Sequence, residues 1–387
     1  MSDAPHSSRI QPSTLFALGS VAIAGAVLWW TLGSGAADER AAAPVRETPG
    51  GVVARLAQDM EPLAPVNPGD HASVTHRGVA FQINSYYRAV ETYTQMTREI
   101  ADLGANTLLI GVAGHMEHAR AQAIFVDSRK VPPPAELKQI LQAARERGLY
   151  VIFMPIVLLS NPRGSEWRGV IEPPDWPEWW KSYEEFICYF ADIAREGGAD
   201  AMMVGSELVT TEKYTERWKP IIAKVRERFP GKLGYSANWD HYEPVTFWDQ
   251  LDFVGMTSYY TLADGKSPSV QQIVEKWKPI REEITNWARE VGKPLYLTEV
   301  GWCSQEGAAQ APWNYYQNQR ASAAGHEEQR RLYEAFLRAW ATTPELRGVI
   351  WWEWTPGNGG PDDYGYTPKG KPAEAVIREW FKGGRSQ

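Results

Sequence analysis

Residues 197–207 read GGADAMMVGSE, in which two glycines precede a run of apolar residues that ends on a carboxylate. Helical patterns lie on both sides of this stretch, at 176–196 and at 215–228. Glycine is the usual residue just past the end of a helix. A short apolar run between two helices is typical of a strand in a parallel sheet. The stretch therefore predicts a helix, a tight turn and a buried strand that carries Glu207 at its carboxyl end.

The same unit recurs along the chain. Apolar runs predict eight strands, at 78–83, 107–112, 150–158, 201–207, 232–237, 253–259, 295–300 and 349–354. The remaining helical patterns lie at 90–103, 135–147, 270–291, 326–342 and 372–382, and the stretch after the fifth strand has room for about one turn. Eight strands that alternate with helices predict an α/β fold, the (β/α)8 TIM barrel. A doubly wound sheet is the alternative, but no G-x-G-x-x-G motif follows an early strand.

The N-terminal region has a different composition. Residues 10–37 carry no Asp, Glu, Lys or Arg, and their centre is an apolar stretch long enough to cross a bilayer. We expect a membrane anchor; a cleaved signal peptide is the alternative, because small residues at 34–37 offer a cleavage site. Either way the barrel would lie outside the cytoplasm. The predicted segments are a short cytoplasmic N-terminus at 1–14, the anchor or signal segment at 15–33, an Ala/Pro/Gly-rich tether at 34–75 and the barrel at 76–387.

Charge and cysteine content exclude several classes of function. Lys and Arg number 40 against 47 Asp and Glu, a net charge of −7, so binding along a nucleic-acid backbone is not expected. Two cysteines, Cys188 and Cys303, are too few for a disulfide framework, and we expect two separate thiols. The 18 tryptophans are more than a core needs, and flat aromatic faces suit sugar rings. We expect a monomer whose partners are an oligosaccharide or polysaccharide and, through the N-terminal segment, a membrane.

Two carboxylates stand at the ends of apolar strands, where barrel enzymes place their active-site residues. Glu207 ends the fourth strand and Glu299 ends the seventh, within LYLTEVGW at 295–302. A rim salt bridge would explain either one alone, but a buried unpaired carboxylate is costly and two of them call for a reason. The fourth and seventh strands face each other across the barrel mouth, so both carboxylates can flank one bond. Paired carboxyl groups of this kind carry out glycoside hydrolysis.

The segments VGSEL at 204–208 and LTEVGW at 297–302 resemble glycoside hydrolase family 113, in the clan of retaining (β/α)8 glycosidases. The resemblance covers about 76–382, and known members of the family act on β-mannans. It implies that Glu207 is the acid/base, that Glu299 is the nucleophile and that Tyr259 donates a hydrogen bond to the nucleophile, with Tyr260 as the neighbouring alternative. Much of the clan has Asn before the acid/base, where this chain has Ser206. Asn238 is then a candidate substitute amide.

The resemblance also implies that a tryptophan of the eighth strand forms the floor of the sugar site. Trp352 and Trp354 have the same parity along this strand and are both candidates, whereas Glu353 has the opposite parity and is expected in a helix-facing ion pair. Other candidates for sugar binding stand at strand ends or in the loops that follow, and they are Asn84, His115, Trp167, Asp240 and Trp302. Packing is the alternative for Trp167.

No metal or cofactor is expected. His115 and His118 are separated as H-x-x-H on a loop, which lacks the H-E-x-x-H pattern of zinc proteases. The sequence thus predicts a retaining glycosidase for a β-linked polysaccharide, of which β-mannan fits best. A β-glucanase, an envelope-glycan transglycosylase and a non-catalytic surface sugar-binding barrel are the alternatives. The last is disfavoured because a pure binder gains nothing from two acids that repel each other.

Overall fold

Eight parallel strands pair in chain order, and β8 closes back on β1 to form a barrel. The computed structural model describes residues 73–340 and 342–383. The strands are β1 His76–Ile83, β2 Thr107–Met116, β3 Tyr150–Leu159, β4 Ala201–Ser206, β5 Lys232–Ala237, β6 Phe253–Thr257, β7 Leu295–Val300 and β8 Leu346–Trp351. The predicted (β/α)8 barrel is thereby confirmed.

Seven α-helices surround the barrel in the described residues. They are α1 Ala89–Leu103, α2 Pro134–Glu146, α3 Trp176–Gly197, α4 Thr215–Arg228, α5 Val270–Val291, α6 Ala323–Trp340 and α7 Pro372–Lys382. Between β5 and β6 there is only a 3₁₀ turn, Trp248–Gln250, as the short sequence there predicted. Gly198 and Gly292 end α3 and α5 in the left-handed conformation, in which glycine avoids the Cβ clash.

Three predicted strands extend too far at their carboxyl ends, the fourth strand by one residue, since β4 ends at Ser206. The sixth strand ends at Thr257 rather than 259, and the eighth ends at Trp351 rather than 354. Apolar and aromatic residues continue past both strand ends, so hydrophobicity alone did not mark where pairing stops. This error changes which residues of the eighth segment point into the barrel.

The apolar core has an inner and an outer layer. Inside the barrel, Leu109, Met154, Met203 and Ile350 belong to a smaller cluster of buried side chains. The larger cluster lies between the strands and the helices and includes Trp179, Trp218, Trp277 and Trp340. Most tryptophans of the described residues are buried, so their abundance serves mainly the core and the expectation of many free aromatic faces was wrong.

The predicted anchor at 15–33 and nearly all of the predicted tether lie outside the described residues. Within residues 73–340 and 342–383, none of the helices combines the length and apolar character that a bilayer span requires.

Candidate active site

Glu207 occupies an unusual backbone position directly after β4. Its φ is 51°, in the left-handed region that residues other than glycine seldom adopt. The pairing of β4 with β5 shifts register between Met203 and Ser206, and the Glu207 amide donates to the Ser236 carbonyl at 2.8 Å. Such irregularities redirect side chains at the rims of barrels. The local backbone thus turns the Glu207 carboxylate toward the inside, where it is fully buried.

Two side chains engage the Glu207 carboxylate. Arg168 Nη2 lies 2.5 Å from Oε2, and the Thr257 hydroxyl donates to Oε1 at 3.0 Å. Arg168 itself is 5% exposed, so the ion pair is shielded from water. Burial raises the pKa of Glu207, while the Arg168 charge and the Thr257 hydrogen bond oppose that rise.

Glu299 lies on β7 and is also buried, at 1% exposure. The Tyr259 hydroxyl donates to its Oε2 at 2.9 Å. Burial, followed by the negative charge of Glu207, raises the pKa of Glu299 to about 8. The two carboxyl groups therefore feel each other's charge, and a pair of this kind titrates as one unit.

The two adjacent tyrosines after β6 have different partners. Tyr259 donates to Glu299, whereas the Tyr260 hydroxyl donates to the Trp239 carbonyl at 2.7 Å. Of the two candidates, the structure thus brings Tyr259 to the carboxylate. Tyr260 supports the loop after β5.

A cavity of about 240 Å³ opens at the carboxyl ends of β1, β2, β3 and β8; Glu207 and Glu299 do not line it themselves but are connected to it through residues of its wall. Three of the predicted sugar-binding residues line it, namely Asn84, His115 and Trp352. Arg168 connects the cavity to Glu207. Tyr366, another wall residue, packs edge-on against Tyr259 at 6.2 Å between ring centroids and connects the cavity to Glu299.

The model of glycoside hydrolase family 113 matches residues 79–371, which is most of the chain. The chain belongs to glycoside hydrolase family 113. It is therefore an enzyme for glycosidic bonds, and the resemblance drawn from the two carboxylate segments is confirmed. A non-catalytic sugar-binding barrel is set aside.

Solved structures of this family are similar to the chain. A family 113 β-mannanase from Alicyclobacillus acidocaldarius, AaManA in complex with ManMIm, is 28% identical, with a TM-score of 0.71 over 80% of this chain and 98% of that chain. Two family 113 β-1,4-mannanase structures are 23% and 24% identical, with TM-scores of 0.71 and 0.69 over 80% of this chain and 99% of each of those. Those two likenesses support the fold. Among curated proteins, no sequence matches the chain significantly.

Three of the predicted sugar-binding tryptophans of this family 113 chain lie away from the cavity wall. Trp302 is fully buried in the outer core, with its ring against Trp277 and Tyr333. The Trp354 indole donates to Glu99 of α1 at 2.8 Å, beyond the end of β8. Trp167 packs against the backbone of Gly169, beside Arg168. Of the two alternatives on the eighth segment, the structure thus brings Trp352 and not Trp354 to the cavity, and it places Trp302 in the outer core.

Ser206 and Asn238 are close to Glu207 but do not replace an amide on its carboxylate. The Ser206 hydroxyl is buried and has no hydrogen-bond partner in the described part of the chain. Asn238 Nδ2 donates to Asp240 Oδ1 at 2.5 Å, and Asn238 Oδ1 lies 3.5 Å from the Thr257 hydroxyl. The negative charge of Asp240 contributes to the raised pKa of Glu207. Asn238 therefore acts on Glu207 through Thr257, and Asp240 acts on it through its charge.

Sequence reasoning missed Arg168, Thr257 and Lys130, and it misplaced Glu353. The expected helix-facing ion pair of Glu353 is wrong: Glu353 lines the cavity, accepts a hydrogen bond from Gln82 Nε2 at 3.3 Å, and burial raises its pKa to about 7. A polar residue at the end of β6 was the available signal for Thr257. Arg168 and Lys130 lie on loops, where the sequence has no periodicity that predicts the direction of a side chain.

In the residues that the structure describes, no cluster of three or more His, Cys, Asp or Glu side chains could hold a metal. The prediction that catalysis needs no metal stays a prediction. Cys188 and Cys303 are separate buried thiols.

Proposed function

We propose that this enzyme cleaves a β-linked glycan of the mannan type with retention of the anomeric configuration. Glu207 is the acid/base and Glu299 is the nucleophile. The observation that carries the proposal is the pair of buried carboxylates at the ends of β4 and β7, which are coupled through their charges and of which Glu207 contacts the cavity residue Arg168. Retaining glycosidases need one carboxylic acid and one carboxylate at the cleaved bond.

In the first step, Glu207 gives a proton to the leaving oxygen while Glu299 attacks the anomeric carbon. Tyr259 occupies Oε2 of Glu299 and so leaves Oε1 as the attacking atom. The departing sugar then makes room for a water molecule, which Glu207 deprotonates for attack on the glycosyl-enzyme. The same hydrogen bond from Tyr259 stabilises Glu299 when it leaves as a carboxylate.

The proton must lie on Glu207 when the bond breaks. Burial raises both pKa values, which disfavours the state in which both carboxyl groups are charged. Tyr259 favours the charged form of Glu299, but Arg168 favours the charged form of Glu207. A sugar that separates Arg168 from Glu207 would therefore move the proton to the acid/base.

The support for a mannan-type substrate is the 28% identity to a family 113 β-mannanase over most of both chains. The test is to offer the full chain defined β-linked manno- and gluco-oligosaccharides and to follow the anomeric proton signals by NMR. Release of the β-anomer first from β-mannosides would support both parts of the proposal. Cleavage of β-glucosides alone would contradict the substrate, and initial release of the α-anomer would contradict retention.

We also propose that the barrel acts outside the cytoplasm. The support is the uncharged stretch at 10–37 with its apolar centre, followed by a segment rich in Ala, Pro and Gly.

A further inference from the structure

One wall of the cavity carries a positive charge that the proposed chemistry does not use. Lys130 lies in the loop between β2 and α2 and lines the cavity together with His115. In the described part of the chain, its ammonium has no carboxylate partner, and its one side-chain contact is with His115 Nε2 at 3.3 Å. A lysine in a cavity wall that forms no direct ion pair is available to a ligand.

The loop around Lys130 is held in place before any ligand arrives. The amides of Lys130 and Val131 both donate to the Asp127 carbonyl at 2.9 Å, and the Tyr86 amide donates to the Arg129 carbonyl. The Asp127 carboxylate, the nearby candidate for a counter-charge, pairs with Arg129 at 2.9 Å, and the charge of Lys130 adds only a smaller part to its lowered pKa. Binding at Lys130 therefore requires little ordering of the loop.

His115 adds to the polarity of this wall. Burial and the charge of Lys130 lower its pKa to about 4, so the ring is neutral and its Nε2 accepts from the ammonium. The remaining proton is then assigned to Nδ1, which is buried and lacks a partner among the described residues. The His115 side chain thus accepts a hydrogen bond from Lys130 and leaves one donor of its own unsatisfied.

The acidic residues of the cavity do not neutralise Lys130. Asp363 is paired with Lys371 at 2.6 Å, and Glu353 accepts from Gln82 on the β1 side. Arg168, a second cation of the same cavity, is engaged by Glu207, although its Nε has no partner in the part of the chain that the structure describes. A neutral sugar at this wall would accept hydrogen bonds from Lys130 through its hydroxyl groups without compensating the charge, whereas an anionic group would form an ion pair with it.

We propose that the sugar unit bound against Lys130 and His115 carries an anionic substituent, so that the substrate is an acidic β-linked glycan. A uronic acid carboxylate and a sulfate ester present the same chemistry to Lys130. This inference rests on the proposed function, because it takes the bound sugar to be the one next to Glu207 and Glu299. It narrows the substrate from mannan-type glycans to those with acidic units.

Binding and turnover test the two proposals separately. Binding is measured by calorimetry on the full chain with Glu299→Gln, which holds the sugar without cleaving it. The probes are β-1,4-mannotriose, β-1,4-trimannuronate, which differs by its carboxylates, and mannotriose that carries 6-sulfate groups. We expect at least one acidic probe to bind about 10- to 100-fold more tightly than mannotriose, and which one does so identifies the anion.

Substitutions assign the preference to Lys130. In the same background, Lys130→Met should abolish the preference, Lys130→Arg should keep most of it, and added salt should weaken it. Lys138→Met is the matched control, because Lys138 lies on α2 and pairs with Glu196 at 2.9 Å, outside the cavity wall. Equal binding of all three probes, binding of none, or an acidic preference that survives Lys130→Met would overturn the inference. A clear preference combined with no glycosidase activity of the unmodified chain on any of the probes would instead contradict the proposed function.

Discussion

Arg168 and Glu207 form a buried ion pair, with 2.5 Å between Nη2 of the guanidinium and Oε2 of the carboxylate. Both side chains are almost entirely removed from water, so little solvent screens their interaction. An acid/base residue must gain and lose a proton in each catalytic cycle. A fixed positive charge at this distance favours the deprotonated, charged form of the carboxyl group. In the proposed mechanism, the ion pair therefore opposes the effect of burial and lowers the pH range in which Glu207 can act as an acid.

Removing the guanidinium should move this pH range. Arg168 lowers the pKa of Glu207 relative to the value that burial alone would give, so Arg168→Met raises it. Activity falls as pH rises through the pKa of the acid, and the alkaline limb of kcat/KM should thus shift to higher pH. The measurement is a pH–rate profile, with Arg163→Met, on the exposed part of the same loop, as control. Lower activity at every pH with an unmoved alkaline limb would indicate a purely structural role.

The hydrogen bond from Tyr259 should matter for the rate rather than for folding. Tyr259→Phe removes the donor at 2.9 Å from Glu299, and a bond to a charged group contributes about 1.5–3 kcal/mol. We expect kcat to fall about 10- to 100-fold. The matched control is Tyr260→Phe, whose hydroxyl donates to the Trp239 carbonyl. An equal loss of kcat in both variants would contradict a specific role for Tyr259.

Two tryptophans that the sequence placed in the same category should respond differently. Trp302 is fully buried among aromatic side chains of the outer core, and Trp302→Ala should lower the free energy of unfolding by about 3–5 kcal/mol. The KM of Trp302→Ala should stay unchanged at temperatures where this variant is folded. Trp352 lines the cavity, and Trp352→Phe should raise KM. Urea unfolding and steady-state kinetics measure the two effects, and a raised KM for Trp302→Ala would place that side chain in the binding site after all.

The order of strands and helices could be predicted because apolar residues recur with the period of a strand or of a helix. Each apolar run is bounded by helical repeats, and glycines such as Gly198 and Gly292 mark the turns that the structure shows in left-handed conformation. Strand ends were harder, because β6 and β8 stop while their apolar character continues. The register shifts between β4 and β5 and between β6 and β7 have no sequence signal of this kind.

The residues of the candidate site also differ in how well the sequence predicts them. Glu207, Glu299 and Tyr259 stand at or just after strand ends, where barrel enzymes place their active-site residues, so they could be named as candidates from the sequence, although only the structure separates Tyr259 from Tyr260. Trp354 comes after β8 has ended, so the alternation of side chains along a strand does not predict the direction of its side chain. Arg168 and Lys130 come from loops whose path depends on tertiary contacts, such as the bond between the Tyr86 amide and the Arg129 carbonyl.

The location of the barrel is testable on intact cells. The uncharged stretch at 10–37 predicts that the domain after it is exported. Protease added to intact cells or spheroplasts should then digest the barrel while a cytoplasmic marker survives. Protection of the barrel under conditions that digest a known outer protein would contradict the proposal.

The roles of the two carboxylates should separate when azide is supplied. Glu299→Ala removes the attacking oxygen and should abolish turnover, whereas Glu207→Ala removes only the proton donor and should still form the glycosyl-enzyme from an aryl glycoside with a good leaving group. Azide is a small anion that needs no general base, and in Glu207→Ala it should capture this intermediate as a glycosyl azide of retained configuration. In Glu299→Ala it can only replace the nucleophile, which would give the inverted azide.

NMR of the anomeric proton distinguishes the products. The control is Glu212→Gln, which changes a buried carboxyl group bonded to Tyr235 and His241 and which azide should not affect. Azide gives an inverted product only where it takes the place of the missing nucleophile. If azide restored turnover of Glu207→Ala with an inverted product, Glu207 would therefore be the nucleophile and the two assignments would be exchanged.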